Sequence, residues 1–165
     1  MPPARTDPAP RRVLLQALVG DVRLVLQGAG RPTDGEVNLH IDEAVAVASS
    51  VRAVLVIADG PDAAGPDAGQ RARMARAGLL RIPTAVVTES VLARGVMTAV
   101  SWLGAPIRAF APEHLFRAFD FLKISGPVRA RIPARLEALK AELRGEPRGR
   151  TRSSIPPPYA DQARR

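Results

Sequence analysis

Thr88, Ser90 and Arg94 have the types and spacing in this 165-residue chain that best suit an anion. An apolar run ending in Thr88 delivers two hydroxyls to the start of a helical segment, with Arg94 one turn further on. Helix-start amides, hydroxyls and a guanidinium together can hold such a ligand. The same residues also suit a plain helix start, in which Ser90 caps free amides and Arg94 is solvated. Asp59, Asp62 and Asp67 carry oxygens that suit Mg²⁺ or Ca²⁺. Their spacing matches no calcium loop, and aspartates in a Gly/Pro-rich stretch cap the backbone or the next helix.

Gly28-Ala29-Gly30-Arg31-Pro32-Thr33 lies between a strand and a helix, as a dinucleotide fingerprint does. Thr33 replaces the third glycine and Pro32 removes an amide, so the segment reads as a turn. The chain has no cysteine, which excludes thiol chemistry and disulfides. Its two histidines, His40 and His114, fall in different expected elements, so no zinc site is expected. No Ser-His-Asp trio, paired-carboxylate motif or His-Glu-x-x-His occurs, and the expectation is a non-enzyme without cofactor or metal. Pro156-Pro157-Pro158-Tyr159 matches a WW-domain ligand but reads as a spacer in proline-rich surroundings.

The net charge of +8 is unevenly distributed. Residues 13–122 carry ten arginines against eleven carboxylates, whereas 123–165 carry eleven cations against four. The basic end is expected to touch polyanions weakly and without sequence preference, through counterion release. Twenty-two of the 24 cations are arginine, which also fits a codon-composition bias. Arg11-Arg12 and the apolar run after them mimic a leader, but Gln16 interrupts the run and no small-x-small cleavage site follows. No stretch approaches the ~18 apolar residues of a membrane span, so the expected location is the cytoplasm.

The length suits one domain, since domains commonly run roughly 100–200 residues. Residues 1–12 are expected to be disordered, 13–124 to form the domain, 125–145 a helical extension, and 146–165 a disordered Pro/Arg-rich tail. Val13–Val19 and Val22–Gln27 flank Gly20-Asp21, a two-residue hairpin link. Thr33-Asp34-Gly35-Glu36 is a capping box. Behind it Val37, Ile41, Val45 and Ala48 recur on one apolar helical face. Val51–Ala58 reads as a buried strand, and Ala68, Ala72, Ala75 and Leu79 mark a second helix. Thr84–Val87 and Ile107–Phe110 are strands around a helix over 90–103, which places Leu92, Val96, Ala99 and Leu103 on one side. Gly95 is expected to permit close packing there, and Trp102 to be core or interface. Pro112 and Glu113 open a helix whose inner face is Leu115, Ala118, Phe119 and Leu122. Val128, Ile132, Leu136, Leu139 and Leu143 keep helical spacing, with Pro133 beginning or kinking that helix. The fold class is therefore α/β, with a mixed, mostly parallel sheet opened by a hairpin.

This order, with Ala85–Ser90, Arg94–Trp102 and Ile107–Phe110, resembles the STAS domain of anti-anti-sigma factors and a looser STAS- or SEC14-like bacterial group. The resemblance implies a β-β-α-β-α-β-α-β-α order and a regulatory, protein-docking role. In the family an Asp-x-Ser/Thr-Ser/Thr-Gly loop carries a phosphorylated hydroxyl. Here Asp59 and Gly60 begin the matching loop, but Pro61 and Asp62 stand where the hydroxyls belong. The reading is thus a non-catalytic interaction module without that phosphoacceptor, binding an unidentified protein or a second copy of itself. Asp59, Gly60, Thr88, Ser90 and Arg94 are its candidate anion or partner site. A SEC14-like carrier of a small ligand or lipid, and a protein acting on polyanions through its basic tail, are the alternatives.

Overall fold

The computed structural model of the chain describes residues 12–60, 65–102 and 104–145. Expectations for Asp62, Leu103, the Trp102 side chain, the amino-terminal residues before Arg12 and all of 146–165, including Pro156–Tyr159, lie outside the described residues.

The elements are β1 (Leu14–Val19), β2 (Val22–Gln27), α1 (Asp34–Val47), β3 (Ala53–Ala58), α2 (Ala68–Arg76) and β4 (Thr84–Thr88). They continue with α3 (Val91–Trp102), β5 (Ile107–Phe110), α4 (Leu115–Phe121) and α5 (Gly126–Leu143). Five strands form one sheet in the order β1-β2-β3-β4-β5. β1 and β2 are antiparallel and the other neighbours parallel, which makes the sheet mixed and mostly parallel, as the alternation of elements requires. Gly20 turns the hairpin with φ at 64°, and a Cβ there would sit 2.9 Å from Val128 of α5. The turn conformation and the close approach of α5 both select glycine.

Side chains alternate between two faces. Val22, Leu24 and Leu26 of β2, Leu55 of β3 and Val87 of β4 share the larger core with Phe119 and Leu122. Ile132, Leu136 and Leu139 of α5 complete it, so residues 126–143 pack into the same core as the rest. α5 runs through Pro133 at an exposed position, where the ring leaves the Arg129 carbonyl without its helical donor. On the opposite face Val25 and Val54 pack with Val47 and Val51.

The structure shows which way each helix faces. In α1 the capping box of Thr33 and Glu36 forms as expected, and Val37, Ile41 and Ala48 pack together with Ala44, while Val45 is exposed. Steps of four residues drift around a 3.6-residue helix, so the true stripe shifts to a three-residue step. In α2 the alanines face water, and Gln70 and Met74 turn inward beside Leu79. In α3, Leu92, Val96 and Ala99 point outward, while Ala93, Arg94, Met97 and Ser101 are half-buried. Gly95 is exposed too, and a Cβ there would meet open space rather than a packed neighbour. Arg52, expected inside a strand, sits just before β3. Its side chain donates to Asp21 at 2.7 Å and to the Leu122 carbonyl at 2.8 Å, tying the hairpin to the end of α4.

Two substitutions test this packing by urea unfolding. Ile132→Ala should cost roughly 2–5 kcal/mol, because it empties a fully buried position. Gly95→Ala should instead stabilise by up to ~1 kcal/mol, since nothing resists the added methyl group and alanine favours helix. A near-neutral Ile132→Ala would show that α5 is peripheral.

Candidate functional site

The strand register brings the sequence candidates to one end of the sheet. Ala58 pairs with Thr88, so Asp59 and Gly60 leave β3 beside the point where Thr88 and Ser90 leave β4. Gly60 has φ at 137° and lies against Ala29, where a Cβ would approach Ala29 Cα to 3.3 Å. The Asp59 amide donates to the Gln27 carbonyl at 2.7 Å, which ties the β3 loop to the end of β2.

The hydroxyls of this corner serve the backbone. Thr88 is 1% exposed, and its Oγ1 accepts from the Ser90 amide at 3.2 Å. Ser90 Oγ accepts from the Ala93 amide at 3.2 Å, capping the first turn of α3. Arg94 is not merely solvated: its Nη1 donates to the carbonyls of Thr88 at 2.7 Å and Glu89 at 3.1 Å. The loop between β4 and α3 is thereby closed on itself. Of the proposed cation ligands, Asp67 caps α2 in a reciprocal box with Gln70. Among the described residues no three carboxylate or imidazole groups cluster in a way that could hold a metal ion. Thr33 of the glycine-rich segment is likewise occupied as the cap of α1.

Arg94 also reaches an open cleft of about 640 Å³ between the end of β5 and α4. Arg108 and Arg117 line it with Phe110, Phe121 and His114, so three guanidiniums from three elements converge. Two carboxylates join them, Glu113 and Asp120, of which Asp120 already accepts from Arg129 at 3.0 Å. Arg108 lies 5.2 Å over the Phe121 ring. Beside this basic cleft α3 presents its apolar side to water: Val91 is 73% exposed, Leu92 79% and Val96 56%.

A second polar group was not anticipated from the sequence. Arg23, in the fully buried strand β2, is 7% exposed. Its Nε donates to Gln16 Oε1 at 2.7 Å, and its Nη2 donates to the His40 carbonyl at 3.0 Å. The same Nη2 lies 2.9 Å from His40 Nε2 and 3.1 Å from Nδ1. Gln16 passes the contact on by donating to Glu43. A guanidinium offers only donors, so the imidazole must accept and stay neutral. Burial first, then the field of Arg23, pushes the His40 pKa down to about 3, and burial lowers Arg23 to about 10 against the pull of Glu43. A guanidinium at that value is still charged at neutral pH. The available signal in the sequence was Arg23 itself, a charge inside an otherwise apolar strand.

No protein-family model, curated protein or solved structure matches the chain.

The neutral His40 has a stability consequence. The unfolded chain takes up a proton near pH 6.5 and the folded chain only near 3. The contribution is therefore complete above 6.5 and is lost progressively as pH falls toward 3. Urea midpoints should decline between about pH 7 and about pH 5, and His40→Gln should remove about one proton from that dependence while leaving Arg23 an acceptor. An unchanged slope in the variant would show that His40 titrates freely in the folded protein.

Proposed function

We propose that the chain is a non-catalytic protein-interaction module of STAS-like fold, working without a phosphoacceptor in its 59–66 loop. One observation carries this reading: α3 turns its large apolar residues, Val91, Leu92 and Val96, to water. A helix in a domain of this size ordinarily buries such a stripe, and an exposed one marks a docking surface. Arg94 is on the same helix, and with Arg108 and Arg117 it borders the adjoining cleft. An apolar strip flanked by guanidiniums suits an amphipathic segment with acidic residues, held by burial and oriented by charge. The alternative of a carrier for an apolar ligand is less well supported, because this cleft is open and arginine-lined rather than apolar. The basic residues of 146–165 would add weak, salt-sensitive contact with polyanions.

The test is co-purification from the native cell with Leu92→Glu and Val96→Glu proteins, each confirmed as folded by circular dichroism. The expected outcome is loss of a bound protein by at least about tenfold, the scale of removing a buried apolar anchor. A partner retained by both variants would reject α3 as the docking surface.

A further inference from the structure

The two edges of the sheet are protected very differently. β5 is four residues long, carries the exposed Arg108 and has α3 packed along it. Short length, an edge charge and a covering helix are three standard ways to prevent strand addition. β1 has neither of the first two: its six residues, Leu-Leu-Gln-Ala-Leu-Val, contain no charge and no proline, although α5 and α1 pack against the strand. They pair one-to-one with β2 without a bulge.

The ladder shows which groups face outward. The hairpin closes with Val19 opposite Val22, and the Gly28 amide donates to the Val13 carbonyl at 2.8 Å. Odd-numbered residues of β1 therefore point their backbone groups at β2, and Leu14, Gln16 and Leu18 point theirs away. Glu36 covers only the start of this edge: the Val13 amide donates to it at 2.9 Å, and the Leu14 amide also helps hold its carboxyl below the usual range. Among the described residues, the outward amides and carbonyls of Gln16 and Leu18 have no partner. Beside them Leu18 is 46% exposed, and Leu39 of α1 is similarly open.

We infer that this edge is covered by β1 of a second copy of the chain, joining two sheets antiparallel across a two-fold axis at Gln16. In that register Leu14 faces Leu18 and Gln16 faces Gln16, so the open groups of Gln16 and Leu18 gain partners, while the Leu14 amide would exchange Glu36 for the Leu18 carbonyl of the second copy. Arg12 falls opposite the turn at Gly20 and Asp21 of the second copy, which sets a cation beside a carboxylate. The chain's own ends fit less well: residues 1–11 carry four prolines, which lack the amide a ladder needs, and the proline-free stretch 148–155 has only Ile155 as a large apolar residue to set against Leu14 and Leu18. This inference does not rest on the α3 reading, because β1 and β5 are opposite edges of the sheet.

Sedimentation of the intact protein over a concentration series, with amide hydrogen exchange of the same samples, tests it. The expected result is a dimer in which the Gln16 and Leu18 amides are protected and lose protection on dilution. Leu18→Lys places a charge on the edge, and Leu18→Pro removes only an outward-facing amide. Each should weaken association at least about tenfold while the circular dichroism spectrum is kept. Leu92→Glu should leave the dimer intact. A wild-type protein that stays monomeric at every concentration overturns the proposal. So does a dimer indifferent to both Leu18 variants. Protected Gln16 and Leu18 amides in a monomer would also overturn it, by placing one of the chain's own ends on the edge.

Discussion

A guanidinium has been placed in a strand whose six residues are all buried, and much of the surrounding arrangement follows from satisfying it. Arg23 cannot shed its charge cheaply, so its donors must all find acceptors inside the protein. β1 supplies Gln16, and α1 supplies both the ring and the carbonyl of His40. Glu43, one turn further along α1, meets Gln16 and gives the buried cation a nearby counter-charge. The network therefore sets the rotation of α1 on the sheet as firmly as the apolar contacts of Ile41 and Ala44 do. A buried charge of this kind is weak evidence for stability, since a well-packed apolar replacement is often as stable. It does specify one arrangement, because sliding α1 by a residue would leave the guanidinium unpaired.

The hairpin was legible in the sequence because Gly20 and Asp21 separate two β-branched runs by two residues, and only a tight turn fits such a link. The start of α1 was legible because a capping box is local chemistry, complete within Thr33 to Glu36. The inner face of α4 was also legible: Ala118, Phe119 and Leu122 are buried with Leu115 packed against them, while Phe116 stays exposed. The sheet's mixed character followed from the hairpin and the helical crossovers.

Apolar periodicity marked which residues share a helix side, but not which side faces the core. Alanines 68, 72 and 75 are periodic but too small to demand burial, so Met74 and the capping Gln70 took the inner positions of α2. In α3 the half-buried stripe contains Arg94, whose Nη1 must reach the carbonyls of Thr88 and Glu89, and this turns Leu92 and Val96 outward. The candidate site was half legible for the same reason. Its residues do meet at the ends of β3 and β4, as strand order requires. Which of their polar groups are consumed locally depends on side-chain geometry that spacing does not encode. The Arg23 network joins residues from three separate elements, and no local pattern could have paired them.

The two surfaces left incompletely satisfied lie at opposite sides of the sheet, and their chemistry differs. The β1 edge lacks backbone partners at Gln16 and Leu18, which suits another strand in register. The α3 surface has its backbone bonds satisfied within the helix and lacks only apolar cover, which calls for a side-chain surface such as a helix. Four strand intervals of about 4.8 Å separate β1 from β5, so occupancy of one edge does not obstruct the other. A dimer joined through β1 would carry two α3 surfaces at the far ends of a continuous sheet. The separation between them would be held by the hydrogen-bonded ladder rather than by a linker. A partner that is itself paired would then bind through two sites at a defined spacing, and its second contact would benefit from a high effective concentration. A monomeric partner would gain nothing from the pairing. On this geometry, self-association would control which partners are retained without altering the proposed docking surface itself.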